Sequence, residues 1–207
     1  GGGFEIFCAP PSADAPDIAG ASRPITRAEW ELCQANGVDT ITEVLIGFDG
    51  LTIAHAKESA HAWQLTPRQL FDALAARLPA DGDLVANPHR TWADVDPALP
   101  DLPIRVVGPP PTSGTRDSFV ELVLEVGCRG HPALAALEEA EADTFAEVCS
   151  DIRADGAFEE AGEDDAAIVA ALARDPDLLG IFGYSNLFLN EDVLAGVRIA
   201  GVVPNFI

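Results

Sequence analysis

Methionine is absent from the 207 residues, and basic side chains are scarce: 12 lysines and arginines stand against 34 aspartates and glutamates, a formal charge of −22 at pH 7. A field of that sign disfavours a nucleic-acid backbone or an anionic membrane surface as partner. No run of about 18 apolar residues occurs, so no helix of the sequence spans a bilayer. There is no P-loop, no G-x-G-x-x-G and no G-x-S-x-G, which removes the usual signatures of nucleotide binding and of serine hydrolases. The acidic tract Glu159-Glu160-Ala161-Gly162-Glu163-Asp164-Asp165 lacks the alternating spacing of a calcium loop and reads as a helix start, where carboxylates suit the dipole. His55, His61, His89 and His131 are scattered and read as surface residues, and no metal site is expected. Nor is there a basic-then-apolar leader. The chain opens on Gly1-Gly2-Gly3-Phe4 and closes on Val202-Val203-Pro204-Asn205-Phe206-Ile207, and it reads as a piece of a longer fold.

What is present is enough for a core. Apolar residues make up 48% of the chain, and the length allows one domain or two small lobes. The cysteines are Cys8, Cys33, Cys128 and Cys149, with no C-x-x-C pair among them. They are either four buried thiols or two disulfides in one of three connectivities. The local pairing, Cys8 with Cys33 and Cys128 with Cys149, spans 25 and 21 residues. Closing loops of that size stabilises by roughly 3 kcal/mol each. The even number, the even spacing and the acidic surface favour an oxidising compartment.

Thr26-Arg27-Ala28-Glu29 is a capping box that opens a helix stopped by Asn36-Gly37. Residues 40–46 and 51–54 read as strands. Thr66-Pro67-Arg68-Gln69 repeats the start signal, and Leu70, Phe71, Leu74 and Leu78 share one helical face. Residues 79–103 read as irregular, with Trp63 and Trp92 as packing residues. A buried strand over 104–107 follows, then a helix with Phe119, Leu122, Val123 and Val126 inward, ended by Gly127. Helices over 133–149 and 163–174 and strands over 180–184 and 197–203 complete an α/β pattern with a mainly parallel sheet.

The strongest chemical signal is the stretch from strand through Pro109-Pro110-Pro111 to Ser113-Gly114-Thr115-Arg116-Asp117 and a helix. Unpaired N–H groups at a helix start, the helix dipole, two hydroxyls and a guanidinium together form an oxyanion cradle. Gly114 lets a ligand approach the backbone. Ser22-Arg23-Pro24 ahead of the Thr26 box is a second donor-rich turn, and Gly1-Gly2-Gly3 a third.

In this order, Gly1-Gly2-Gly3, Ala21-Ser22-Arg23-Pro24, Pro111-Thr112-Ser113-Gly114-Thr115-Arg116-Asp117 and Gly180-Ile181-Phe182-Gly183-Tyr184 resemble the periplasmic phosphate-binding proteins of ABC transporters. Asp49-Gly50-Leu51, Leu70-Phe71 and Thr91-Trp92-Ala93-Asp94 share the likeness, which runs through the whole chain. The resemblance implies a two-lobed type II periplasmic-binding-protein fold with two crossing strands, near residues 47–50 and 184–186. Lobe I would hold residues 1–49 plus 186–207 and be incomplete, because the family's opening strand, helix and threonine-containing loop precede the glycine run. Lobe II would hold residues 50–185. The ligand set carried over is Gly2, Gly3, Ser22, Arg23, Ser113, Gly114, Thr115 and Arg116. Many members place aspartate where Arg23 stands, and an arginine where Pro109–Pro111 stand. Here Arg23 and Arg116 would supply the charge.

The expected function is therefore capture of inorganic phosphate outside the cytoplasmic membrane and delivery to an ABC permease. Such a protein needs no cofactor or metal, and a monomer suffices. The alternatives are another oxyanion such as sulfate or arsenate, a phosphate-sensing module, or a hydrolase with Ser113 as nucleophile. The last has no histidine or lysine near it in sequence to act as base. A charge of −22 does not exclude an anion. At 0.15 M salt the Debye length is about 8 Å, so a ligand in a cleft feels helix ends and nearby donors rather than the surface.

Overall fold

A computed structural model describes residues 2–12, 15–21, 23–47, 50–162 and 164–200. Backbone proximity divides the chain into two units, residues 1–49 and residues 50–207.

In the first unit α1 (Gly2–Phe7) and α2 (Arg27–Ala35) are tied by the Cys8–Cys33 disulfide. The Thr26 box forms in both directions: Glu29 N donates to Thr26 Oγ1 at 3.3 Å, and Thr26 N donates to Glu29 Oε2 at 2.9 Å. The strand expected over 40–46 is not formed; the segment is irregular, and Val44, Leu45 and Ile46 are 70%, 69% and 95% exposed. β-propensity needs a neighbouring ladder to become a strand, and no described residue supplies one there.

The second unit carries β1 (Leu51–Ala56), β2 (Gln64–Leu65), β3 (Arg77–Ala80), β4 (Asp83–Ala86) and β5 (Val106–Gly108). Further along come β6 (Phe158–Glu160), β7 (Leu179–Gly183), β8 (Leu194–Gly196) and β9 (Arg198–Ile199). Among the described residues five of these form one sheet in the order β6-β5-β7-β1-β8. β5 runs parallel to β6 and β7, but β1 is antiparallel to both β7 and β8. The sheet is thus mixed rather than mainly parallel. A strand buried on both faces carries an apolar run in either direction, so the pattern is silent about this. Because β8 pairs with β1 and β9 with β2, residues 186–199 pack with residues 50–185. The segment expected as a crossing at 184–186 is the start of a helix.

α3 (Pro67–Leu74) opens on the Thr66 box and buries Leu70, Phe71 and Leu74. It stops before Leu78, which lies on a hairpin instead: β3 pairs antiparallel with β4 across Asp81-Gly82, both at positive φ (51° and 93°). An Asp-Gly pair between short strands is a hairpin signal in its own right. Next, α4 (Trp92–Val95) has a third reciprocal cap, Thr91 with Asp94, and its Trp92 is fully buried, 5.4 Å edge-on from Trp63. α5 (Gly114–Phe119), a π-helical turn over Val120–Leu124 and α6 (Glu125–Arg129) follow one another directly. Within and after this wider turn Leu122 and Val126 are 53% and 47% exposed, while Leu124 and Cys128 are buried. Gly127 does not end this helix. A Cβ there would stand 2.1 Å from Pro67 O, so the glycine is what lets the helix lie against α3.

The expected single helix over 133–149 is two, α7 (Pro132–Ala140) and α8 (Ala142–Ser150), and Cys128–Cys149 staples α6 to α8. α9 (Asp165–Leu172) is capped by Asp164, as the acidic tract implied, and α10 (Tyr184–Leu189) leaves β7. Alternate residues of β7 separate two cores. Leu179 and Ile181 join Phe71, Trp92 and Phe119 on one face; Phe182 joins Ile168 and Leu172 on the other. Two histidines depart from expectation. His55 is buried on β1 with Nδ1 donating to Ala56 O at 2.8 Å, and burial lowers its pKa. His131 Nε2 donates to Asp72 Oδ1 at 2.5 Å.

Candidate anion site

β5, β6 and β7 point the same way and end at Gly108, Glu160 and Gly183. Crevices at the carboxyl ends of parallel strands are where α/β sheets hold ligands. Pro109-Pro110-Pro111 cannot continue the ladder and turn the chain out of the sheet at that edge. The turn closes with Ser113 N donating to Pro110 O at 3.0 Å, and Ser113 becomes the N-cap of α5.

Ser113 is buried, and its Oγ accepts from Thr115 N at 3.3 Å. Gly114 is exposed and Thr115 half-buried. Arg116 is only 8% exposed, although it carries a guanidinium. Its Nη1 donates to Pro109 O at 3.1 Å, and its guanidinium carbon sits 4.8 Å from the centre of the Phe158 ring. Burial lowers the arginine's pKa, opposed by the charges of Glu160 and Asp117. A cavity of about 490 Å³ adjoins it, lined by Pro111, Arg116, Asp117, Val120, Glu121, Glu125 and Ser150. Three carboxylates on that wall leave the anion-friendly part at the helix head, where the N–H groups and dipole act.

Of the residues singled out in the sequence, Ser113, Gly114, Thr115 and Arg116 are thus brought together on one turn. Gly2, Gly3 and Arg23 belong to the first unit, and Ser22 lies outside the described residues. Gly2 and Gly3 open α1 rather than forming a loop. Arg23 forks onto Glu29 (Nη1–Oε2 2.9 Å, Nη2–Oε1 2.8 Å), donates to Pro24 O and lies over the Phe4 ring. That fork and the Thr26 N–H hold the Glu29 pKa at about 2. Among the described residues no group of histidine, cysteine or carboxylate side chains could hold a metal ion. Sequence reasoning missed Phe158 and Glu160, which reach Arg116 from a strand 42 residues further on; no local signal marks them.

The strand ends and the helix head give this α/β unit a candidate anion site. Its family is shown by comparison: the model of the PBP superfamily domain matches residues 1–205, and the chain belongs to that superfamily. It is 30% identical over 200 residues to protein SphX of Synechococcus elongatus, covering 96% of this chain and 48% of SphX. To the phosphate-binding protein PstS of Staphylococcus epidermidis it is 29% identical over 199 residues, covering 96% and 48%. The structure of a possible phosphate-binding protein from Planctomyces limnophilus superposes with a TM-score of 0.56 at 28% identity, over 96% of this chain and 56% of that one. A putative phosphate ABC transporter substrate-binding protein from Clostridium perfringens, solved with bound phosphate, gives 0.56 at 18% identity over 98% and 61%, a likeness of fold. The chain spans about half the length of the curated relatives it matches. These findings bear out the expected α/β fold of the PBP superfamily. Of the possibilities the sequence left open, the structure has the local pairing, Cys8–Cys33 and Cys128–Cys149. Among the described residues no helix is long and apolar enough to cross a membrane.

Proposed function

We propose that this chain is part of an extracytoplasmic solute-binding protein that captures inorganic phosphate and delivers it to a membrane ABC permease. The observation that carries the reading is the head of α5: Ser113 and Arg116, both buried, stand with exposed Gly114 where parallel strands end. Charge-assisted hydrogen bonds contribute about 1.5–3 kcal/mol each, and four or five of them, after ordering costs, reach micromolar binding at about −8 kcal/mol. Gly2, Gly3 and Ser22 rest on the family motif alone, and Arg23 spends its two Nη groups on Glu29. Phosphate is the ligand named for the PstS relative, and two disulfides suit an oxidising compartment. The protein works as a monomer without catalysis or cofactor. Ser113 Oγ serves as a cap, accepting from Thr115 N.

Calorimetry on the full-length protein with phosphate, arsenate and sulfate tests this. Heat with phosphate is expected, and no heat with any of the three overturns the reading. Arg116→Ala should weaken binding at least about tenfold, the loss of one charge-assisted bond. Unchanged affinity would remove the helix head from the site.

A further inference from the structure

Resting on the phosphate reading, we propose that Phe158 is a positioning residue of this site, its ring being the platform that holds the Arg116 guanidinium ready for an anion. A guanidinium has five N–H donors. Among the described residues the one hydrogen bond of Arg116 is to Pro109 O, yet the side chain is more than nine-tenths buried. That single bond is not all that holds it. The Phe158 ring, 4.8 Å from the guanidinium carbon, is within cation–π range and attracts the cation through its face.

The ring is itself fixed. Phe158 is 7% exposed and pairs with Val106 on the neighbouring strand. It fills the space over Gly108, where a Cβ would come within 2.8 Å of Cζ and 3.1 Å of Cε2. Glu160 lies two residues on, on the same face of β6, and Asp117 follows Arg116 directly; these are the charges felt by the guanidinium.

The other arginine of the sequence motif shows why a ring suits this role. Arg23 is held by a carboxylate, and its two Nη groups are spent on Glu29. A π-face holds the cation without using an N–H, so the edge of the Arg116 guanidinium stays available to a ligand.

The test is phosphate calorimetry on the full-length protein for wild type, Phe158→Leu, Phe158→Tyr, Arg116→Ala and the double variant Arg116→Ala/Phe158→Leu, with thermal unfolding recorded for each. Phe158→Leu should weaken binding about fivefold or more, Phe158→Tyr should restore it to within about twofold, and in the Arg116→Ala background Phe158→Leu should change nothing further. Equal losses in both backgrounds, or no loss in either, overturn the inference while leaving the phosphate reading intact. If Phe158→Leu unfolds, Gly108→Ala, which pushes the ring aside, takes its place in the same cycle: a loss confined to the Arg116 background supports the inference, and equal losses or none overturn it. A wild type silent to phosphate, arsenate and sulfate overturns the underlying reading instead, and the inference with it.

Discussion

Thr26 opens α2 and Thr66 opens α3 with the same reciprocal cap, but the two helices rest on different ground. α3 buries Pro67, Leu70, Phe71, Ala73 and Leu74 against the sheet and α6. α2 buries Cys33, while Trp30 and Leu32 are 48% and 41% exposed. A nine-residue helix is marginal in water without tertiary support. Among the described residues α2 is held by the cap, the Arg23–Glu29 fork, the Cys8–Cys33 bond and the hydrogen bond that Asn36 Nδ2 donates to Cys8 O at 2.7 Å rather than by a buried apolar face. The contrast separates what makes a helix start from what makes it last. Identical start signals say nothing about burial.

The largest test of that contrast is truncation on the two apolar faces. Phe71→Ala should destabilise the second unit by about 3–5 kcal/mol, as for a buried aromatic, whereas Trp30→Ala should stay within about 0.5 kcal/mol. Urea unfolding followed by circular dichroism measures both, and a comparable loss at Trp30 would mean that α2 is buried after all. Disulfide removal comes next. Each bridge is worth about 3 kcal/mol in the loop-closure account. Converting Cys8 and Cys33 to serine should expose residues 27–35 to protease, because little else retains them. Converting Cys128 and Cys149 should lower the unfolding midpoint yet leave residues 50–200 protected. Equal protease sensitivity in the two variants would erase the distinction between the units.

The same distinction explains which features were legible in the sequence. The boxes at Thr26 and Thr66 and the helix start at Ser113 depend on neighbours within a short span, and all appear where the residues put them. The Asp81-Gly82 hairpin was legible too, but Pro79 and the flanking polar residues disguise its strands. Other features depend on long-range geometry. The antiparallel entry of β1, the π-turn with its exposed Leu122 and the burial of His55 have no local cause. At the candidate site the donors of α5 could be read from Ser113-Gly114-Thr115-Arg116, while the ring under Arg116 could not, since pairing of β5 with β6 brings Phe158 there.

Smaller effects are expected at the caps themselves. Thr66→Ala and Thr26→Ala each remove one cap, worth about 1 kcal/mol. The first should appear in global unfolding. The second should appear only as faster amide exchange over residues 27–35, because α2 adds little to the core; a global shift from Thr26→Ala would contradict that.

The two boxes differ in one atom that titrates. At Thr66 the returning acceptor is the neutral amide of Gln69, 2.9 Å from Thr66 N; at Thr26 it is the carboxylate of Glu29, also 2.9 Å away. The Arg23 hydrogen bonds first, then the Thr26 N–H, lower the Glu29 pKa from 4.5 to about 2. A carboxyl whose pKa is depressed on folding stabilises the fold above its unfolded value and loses that contribution as pH falls through the folded one. Acidification should thus loosen α2 progressively as pH falls from about 4.5 to about 2, whereas the amide acceptor of the Thr66 cap does not itself titrate. Amide exchange at Glu29 and Gln69 across that range reads both caps in one sample. Glu29→Gln should flatten the first profile until it matches the second, since it replaces the titrating box with the neutral one. A loss already complete near pH 4.5 in the wild type would mean that Arg23 does not hold Glu29 in solution.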